Sequence, residues 1–163
     1  MPTSIVVDTD FLSSFLKIGR ARLVCEFYGV SGIHLASAVR DELSAARLHP
    51  HVVGANWVVE HSVAESACED LRVSLLPTRL GAGELASIVL AKLLPDSLLL
   101  ISDSTARRAA EAEGVQCADV PAFLLACKRS ESLSTGALQG IVDELRLKDY
   151  YAFRQNVLDL LLG

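Results

Sequence analysis

Residues 5–16 read IVVDTDFLSSFL, a short β-branched run that ends at Asp8 and passes directly into apolar residues at helical spacing. The run 98–101 repeats this arrangement, because it is apolar throughout and is followed by Ser102, Asp103 and a second helical pattern. Strands without polar alternation are typically buried on both faces, as in a parallel sheet covered by helices. The two strand–helix units therefore predict an α/β fold with a central parallel sheet.

The rest of the chain supplies the other elements of such a fold. Further predicted elements are strands at 33–36, 57–59 and 115–120 and helices that follow Ser37, Gly81 and Pro121. Apolar residues recur at helical intervals up to residue 162, which predicts a helical extension of about 135–162 on a core of about 4–128. No repeat or proline-rich linker divides the chain, so we expect one domain over residues 1–163.

Composition excludes several classes of protein. A chain of 163 residues and 17.5 kDa has the size of one folding domain, which excludes a multidomain assembly. A hydrophobic fraction of 51% and a mean hydropathy of +0.37 argue against disorder. No apolar run approaches the roughly 18 residues of a membrane helix, and the N-terminus has no signal-peptide pattern, so we expect a cytoplasmic protein.

Cysteine spacing and net charge give two further indications. The four cysteines form no Cys-x-x-Cys pair, which argues against a zinc site or a disulfide framework and predicts small buried residues. The formal net charge of −5 argues against a nucleic-acid partner, because affinity for phosphate normally comes from lysine and arginine. A nucleic-acid partner would require a local basic patch or a metal ion.

Four acidic residues are placed to meet at one edge of the predicted sheet. Asp8 and Asp103 follow the two apolar strands, and the ligand crevice of an open parallel sheet lies beyond the carboxyl ends of its strands. Glu42 lies one turn into the helix after 33–36, and Glu84 lies in the first turn after a double-glycine loop. Like charges 4 Å apart repel by about 4 kcal/mol at an effective dielectric of about 20, so a convergent set requires protons or cations. Carboxylate oxygens favour Mg²⁺ or Mn²⁺, and such an ion allows an acidic protein to hydrolyse a phosphodiester.

Each acid also has a purely structural interpretation. Asp8 suits a strand end or a helix cap, and Asp10 suits the N-cap of the following helix better than a ligand role. Glu42 follows Asp41 and also suits a solvated helix face, while Glu84 also suits the stabilisation of its own helix through the dipole.

Four segments of the chain follow one another in a family-specific order. They are VVDTDFL at 6–12, VRDEL at 39–43, GAGELASI at 81–88 and LISDS at 100–104, the last followed by RRAA at 107–110. Together they resemble the PIN-domain nucleases, including the VapC-type toxins of toxin–antitoxin pairs, and especially the subgroup whose third motif is Gly-x-Gly-Glu. Glu84 replaces the aspartate common in the wider family, and Ser104 stands where the subgroup often has a second acid.

The resemblance implies both a fold and a chemistry. It implies a three-layer α/β/α PIN-like domain whose parallel sheet has the order 3-2-1-4-5, with the first and fourth strands adjacent. It also implies Mg²⁺- or Mn²⁺-dependent hydrolysis of RNA, with Asp8, Glu42, Glu84 and Asp103 as metal ligands and catalytic residues and Ser102 as an assisting hydroxyl. The expected partners are an RNA substrate, an antitoxin if the chain is a toxin, and a second copy that covers exposed apolar surface.

Two other functions stay open at this point. One is a catalytically silent PIN-like module that binds RNA or protein without cutting. The other is a haloacid-dehalogenase-type phosphatase, which the order Asp8-Thr9-Asp10 after an apolar strand resembles, although Leu12 occupies the position of a threonine or valine in that mechanism. We assign no role to the four histidines, which lack ligand spacing. Basic residues expected near the crevice mouth, either on RNA phosphates or in ion pairs, are Arg40, Arg47, Lys92, Arg107 and Arg108.

Overall fold

A five-stranded sheet forms the centre of the structure, a computed structural model that describes residues 1–163. Its strands are β1 (Ser4–Val7), β2 (Ile33–Ala36), β3 (Val58–His61), β4 (Ser97–Leu100) and β5 (Gln116–Ala118). All neighbours pair in parallel, in the order β3-β2-β1-β4-β5. The predicted parallel sheet and its strand order are confirmed, and β1 lies beside β4 at the centre of the sheet.

Helices flank this sheet on both faces and complete the predicted three-layer α/β/α architecture. The α-helices are α1 (Thr9–Lys17), α2 (Leu23–Tyr28), α3 (Ser37–Ala45), α4 (Glu65–Leu75), α5 (Ala82–Leu93), α6 (Ser104–Ala112), α7 (Val120–Arg129), α8 (Thr135–Lys148) and α9 (Gln155–Leu162). A short 3-10 helix, His49–His51, precedes β3. The longest helix, α8, has 14 residues, and no helix combines the length and the apolar character needed to cross a membrane.

An aromatic cluster joins the N-terminal and C-terminal helices in one core. Phe11 and Phe15 of α1 are fully buried against Phe123 of α7, with ring centroids 5.8 and 5.5 Å from the Phe123 ring. Phe27 of α2 packs edge-on to the same ring at 5.6 Å. Each such side chain contributes about 1.5–3 kcal/mol through burial, so this cluster fixes α1 and therefore the start of α1 at the end of β1.

Two helix starts differ from the sequence prediction. Asp8, not Asp10, is the N-cap of α1, and Asp10 lies within the first turn. Ser37 likewise lies inside α3, whose N-cap is Ala36, and its hydroxyl donates to the carbonyl of His61 at 3.2 Å. The physical reason is that each strand enters its helix without a loop, so the residue at the junction takes the cap position.

Two helices were not predicted from the sequence. Helix α2 has only six residues, and α4 buries only Leu71, so neither shows a strong apolar period. The C-terminal extension is helical as expected, but it divides into α8 and α9 with a turn at 149–154. Asp149 anchors that turn, because its carboxylate accepts from Ser14 at 2.6 Å and from Lys17 at 2.8 Å.

The four cysteines are free thiols. Cys25 and Cys127 are buried, and Cys68 and Cys117 are partly buried. Burial raises the pKa of Cys117 and that of Cys127 to about 11, so both thiols stay protonated at neutral pH. They act as small packing residues.

The aromatic cluster predicts a large effect of its central ring on stability. Phe123→Ala should lower the free energy of unfolding by about 3–5 kcal/mol, because it removes a fully buried ring and leaves a cavity. Urea denaturation followed by circular dichroism measures this change. Tyr150→Ala is the matched control, because this ring is 88% exposed and its removal should change stability by less than about 0.5 kcal/mol. Equal effects of the two substitutions would contradict the assignment of the core.

Candidate active site

The carboxyl edge of the sheet brings the ends of β1 and β4 together. Val7 pairs with Leu100, and the backbone N–H of Asp8 donates to the carbonyl of Leu100 at 2.9 Å. Asp8 and Asp103 each form the N-cap of the helix that follows their strand. The structure therefore places the two aspartates at the starts of neighbouring helices on the same edge.

Asp8 is the most buried acid of the chain, with 3% of its surface exposed. The Ser87 hydroxyl on α5 donates to Asp8 Oδ1 at 3.0 Å, and no lysine or arginine pairs with the carboxylate. Burial raises the pKa of Asp8 to about 7, against the lowering effect of hydrogen bonds from Thr9 and Ser87. Repulsion from Glu84 and Glu42 adds to the rise. At neutral pH this side chain is therefore balanced between its charged and neutral forms.

Glu42 reaches the same edge from α3. The Thr9 hydroxyl donates to Glu42 Oε1 at 3.2 Å, and the amide of Gly83 also donates to the carboxylate. Burial raises the pKa of Glu42, and the charge of Asp10 raises it further. A Cβ atom on Gly83 would lie 1.9 Å from Glu42 Oε1, so any larger residue at this position would displace the carboxylate from where it now lies.

Glu84 lies in the first turn of α5, where its side chain accepts a hydrogen bond from the N-cap residue. The amide of Gly81 donates to Glu84 Oε1 at 2.9 Å. Burial raises the pKa of Glu84, and the charges of Asp103, Asp10 and Glu42 raise it further. One carboxylate oxygen of Glu84 therefore stabilises the start of its own helix, as one interpretation of the sequence expected. The same side chain is also repelled by the other acids.

Asp103 is exposed and uses one oxygen to cap α6, where it accepts from the amide of Ala106 at 2.8 Å. The neighbouring Ser102 hydroxyl is buried and has no hydrogen-bond partner. An unpaired buried hydroxyl costs about 1–3 kcal/mol, which a bound ligand can recover. Ser102 therefore has a free donor directly beside Asp103.

These mutual effects define what we call the acidic cluster, the carboxylates of Asp8, Asp10, Glu42, Glu84 and Asp103. Asp10 was expected to cap a helix, whereas its charge raises the pKa values of Glu42 and Glu84. The hydrogen bonds that Thr9 and Ser87 donate to the acids were not expected from the sequence. For Ser87 the signal is a polar residue on the otherwise apolar buried face of α5.

Asp119 follows β5 as Asp103 follows β4, yet it is held apart from the acidic cluster. Its Oδ1 caps α7 through the amide of Ala122 at 2.9 Å, and its Oδ2 lies 3.8 Å from Arg107. The negative charge of Asp119 is thus already compensated by Arg107 and by the start of α7, without a metal ion. Position at a strand end therefore does not by itself make an acid a member of the cluster.

Several basic residues expected at the crevice mouth are engaged in ion pairs. Arg40 pairs with Glu60 at 3.0 Å and with Asp41 at 3.5 Å. Lys92 pairs with Glu113 at 3.0 Å, near the end of α5 that lies away from Glu84. Arg40 and Lys92 therefore form ion pairs, which was one of the two roles expected for them.

The acidic cluster fits a hard divalent cation in donor type and in charge. All of its side-chain donor atoms are oxygens, the donor type that hard divalent cations prefer. Burial is the largest cause of the raised pKa values of Asp8, Glu42 and Glu84, and the charges of neighbouring acids add to it. In the conformations of this structure, however, no three acidic side chains are close enough to enclose an ion. Glu42 and Glu84 instead bind Thr9 and Gly81, so metal binding requires these two side chains to rotate.

Comparison with known families agrees with this geometry. The sequence profile of the PIN domain matches residues 4–161. The chain belongs to the PIN domain family. No curated protein matches the chain, and no solved structure matches it. Membership of the PIN family supports a nuclease-type hydrolase of phosphodiesters that acts on nucleic acid.

The raised pKa of Asp8 predicts a pH-dependent stability of this PIN domain. Its folded pKa of about 7 exceeds the ordinary value of 3.8, so the free energy of unfolding falls as the pH rises through this window. Asp8→Asn should stabilise the metal-free protein at pH 8 by on the order of 4 kcal/mol and have a much smaller effect at pH 4. Urea denaturation in EDTA at both pH values measures the difference. Equal effects at the two pH values would contradict the proposed state of Asp8.

The close contact at Gly83 predicts a loss of function without a loss of fold. Gly83→Ala should displace the Glu42 carboxylate and reduce phosphodiesterase activity at least about tenfold, while the added methyl favours the helix by up to about 1 kcal/mol. The matched control is Gly140→Ala in α8, where a Cβ meets no atom within 4 Å. Activity and thermal unfolding are measured for both variants. Full activity of Gly83→Ala would show that the position of Glu42 is unimportant.

Proposed function

We propose that this PIN domain is a metal-dependent endoribonuclease that hydrolyses RNA phosphodiesters with Mg²⁺ or Mn²⁺. The observation that carries the proposal is the acidic cluster, whose carboxylates lie at the carboxyl edge of the sheet without a lysine or arginine partner; burial raises the pKa values of Asp8, Glu42 and Glu84, and repulsion between the acids adds to the rise. Such an arrangement is unfavourable for stability, and a site that binds a cation is the physical reason to keep it.

Asp8 and Asp103 would be the principal metal ligands, and Glu42 and Glu84 would complete the ligand set directly or through water. When bound, the ion would supply charge neutralisation, activation of water and stabilisation of the leaving oxygen. Ser87 keeps the Asp8 carboxylate oriented through its hydrogen bond at 3.0 Å. The free hydroxyl of Ser102 would donate to a non-bridging phosphate oxygen, and the carboxylates of Glu42 and Glu84 would orient the attacking water and accept its proton.

A catalytically silent PIN module is the second candidate. Two observations favour it: no three acids enclose an ion in this structure, and Ser104 stands where a further acid is often found. The phosphatase alternative has less support, because Asp8 is almost completely buried and its Oδ1 is engaged by Ser87, which leaves a poor nucleophile. The family match also favours a PIN nuclease over a phosphatase.

The proposed biological role is that of a cytoplasmic toxin, with an antitoxin as protein partner and a homodimer as its assembly. Large apolar side chains exposed on the C-terminal helices support a protein partner, since Leu147 is 74% and Leu160 is 56% exposed. A small DNA-binding protein encoded in the adjacent reading frame, and copurifying with this chain, would support the toxin role.

Cleavage assays with isosteric variants test the nuclease. The wild-type protein should cleave an unstructured RNA only when Mn²⁺ or Mg²⁺ is present, and Asp8→Asn should reduce kcat at least about 100-fold. Glu42→Gln should show a similar loss, while its sequence neighbour Asp41→Asn, which alters an exposed acid outside the acidic cluster, should keep nearly full activity. Isothermal titration of the same variants with Mn²⁺ provides a binding measurement independent of activity.

Three outcomes would contradict the proposal in different ways. Mn²⁺ binding without cleavage of RNA or DNA would favour the silent module. Cleavage that persists in Asp8→Asn protein would place the active site elsewhere. A covalent phosphate on Asp8 would establish the phosphatase mechanism instead.

A further inference from the structure

A second concave surface lies at the opposite edge of the sheet, where the strands begin. It is formed by the turn 19–23 after α1, by His51 of the 3-10 helix and by Trp57, which directly precedes β3. Its volume is about 440 Å³, and sites for small ligands have volumes of roughly 300–1,000 Å³. Helix α1, with nine residues and a length of about 14 Å, separates this groove from Asp8.

The side chains of this groove combine positive charge with one aromatic ring. Arg22 is exposed and forms no ion pair. Arg20 is half-exposed, and its only acidic neighbour within ion-pair distance is Glu144, at 3.7 Å. Glu26 is the one acid among the residues that line the groove, which also include His51 and the half-buried Trp57.

We propose that this groove, which we call the Trp57 groove, binds a single-stranded segment of RNA that lies outside the scissile bond. One base would stack on the indole of Trp57, and adjacent phosphates would bind Arg20 and Arg22. Cationic grooves with an aromatic platform are typical of proteins that bind single strands through backbone charge and base stacking. The inference rests on the proposed nuclease function and names a second part of its substrate site.

The charge distribution of the chain supports this assignment. The net charge is −5, and the catalytic edge itself carries the acidic cluster, so that edge repels a polyanion unless a metal is bound. Affinity for an RNA strand must therefore come largely from cations elsewhere on the surface. The Trp57 groove offers two arginines whose charge is not fully neutralised by acids.

Trp57 is the only tryptophan of the chain, so its fluorescence reports this groove alone. The experiment uses full-length Asp8→Asn protein and an unstructured ten-nucleotide RNA labelled with fluorescein. Binding should quench Trp57 fluorescence in a saturable manner, with the same Kd that anisotropy of the label gives. Arg22→Ala should weaken binding about tenfold, whereas the matched control Arg129→Ala, another exposed arginine without an ion pair, should change Kd less than about twofold.

Further variants and ligands separate the outcomes. Trp57→Phe should retain most of the affinity in the anisotropy assay, and Trp57→Ala should lose about tenfold or more. RNA binding without a change in Trp57 fluorescence, or equal effects of Arg22→Ala and Arg129→Ala, would overturn the assignment. A nucleoside monophosphate that binds as tightly as the RNA would also overturn it, because the groove would then be a nucleotide site.

Cleavage by the wild-type protein distinguishes this inference from the proposed function. If Mn²⁺-dependent cleavage occurs, and Arg22→Ala raises KM but leaves kcat unchanged, the results support both the nuclease function and RNA binding in the Trp57 groove. If cleavage occurs, but Arg22→Ala does not change KM and RNA does not change Trp57 fluorescence, RNA binding in the Trp57 groove is contradicted and the nuclease function is not. If RNA binds at Trp57 but no variant of the cluster affects cleavage, the nuclease proposal fails and the binding surface stands.

Discussion

Parallel pairing of β1 with β4 places two strand ends, and the aspartates that follow them, at one edge of the sheet. The hydrogen bond from the Asp8 amide to the Leu100 carbonyl fixes this junction, and apolar burial on both faces of the sheet holds the strands in register. Asp8 then enters a site from which water is largely excluded, and its pKa rises to about 7. Burial of this carboxylate is unfavourable unless a proton or a cation compensates its charge.

The close approach of α5 brings the remaining parts of the site together. Gly83 allows Glu42 to reach the helix start, Glu84 projects from the same turn, and Ser87 one turn later meets Asp8. Helix α5 therefore supplies space for a carboxylate at Gly83, an acid at Glu84 and a hydrogen-bond donor at Ser87. A shift of this helix would disturb all three at once, and the burial of its apolar face in the core holds it in place.

The sequence indicated the strands and their terminal acids because both follow from local patterns. Uninterrupted apolar runs predicted the buried strands, and the resemblance supplied the strand order. The side-chain contacts were beyond such reasoning, since the bonds from Thr9 to Glu42 and from Ser87 to Asp8 join residues 33 and 79 positions apart. The N-cap of α1 was placed at Asp10 for a related reason: the sequence does not show that β1 enters α1 without a loop, which moves the cap to Asp8.

Negative and positive side chains lie at opposite edges of the sheet in this PIN domain, the acidic cluster at one edge and Arg20 and Arg22 at the other. Under the proposed function, an acidic cluster that binds a cation would also repel RNA, so a single edge could not easily supply both chemistry and affinity. Helix α1 runs from Asp8 to the turn that carries Arg20 and Arg22. It therefore sets a fixed distance between the acidic cluster and the Trp57 groove. A strand bound along this axis would meet cations before it met the carboxylates. The metal would then need to neutralise only the phosphate at the scissile bond, because the rest of the backbone charge would already be compensated.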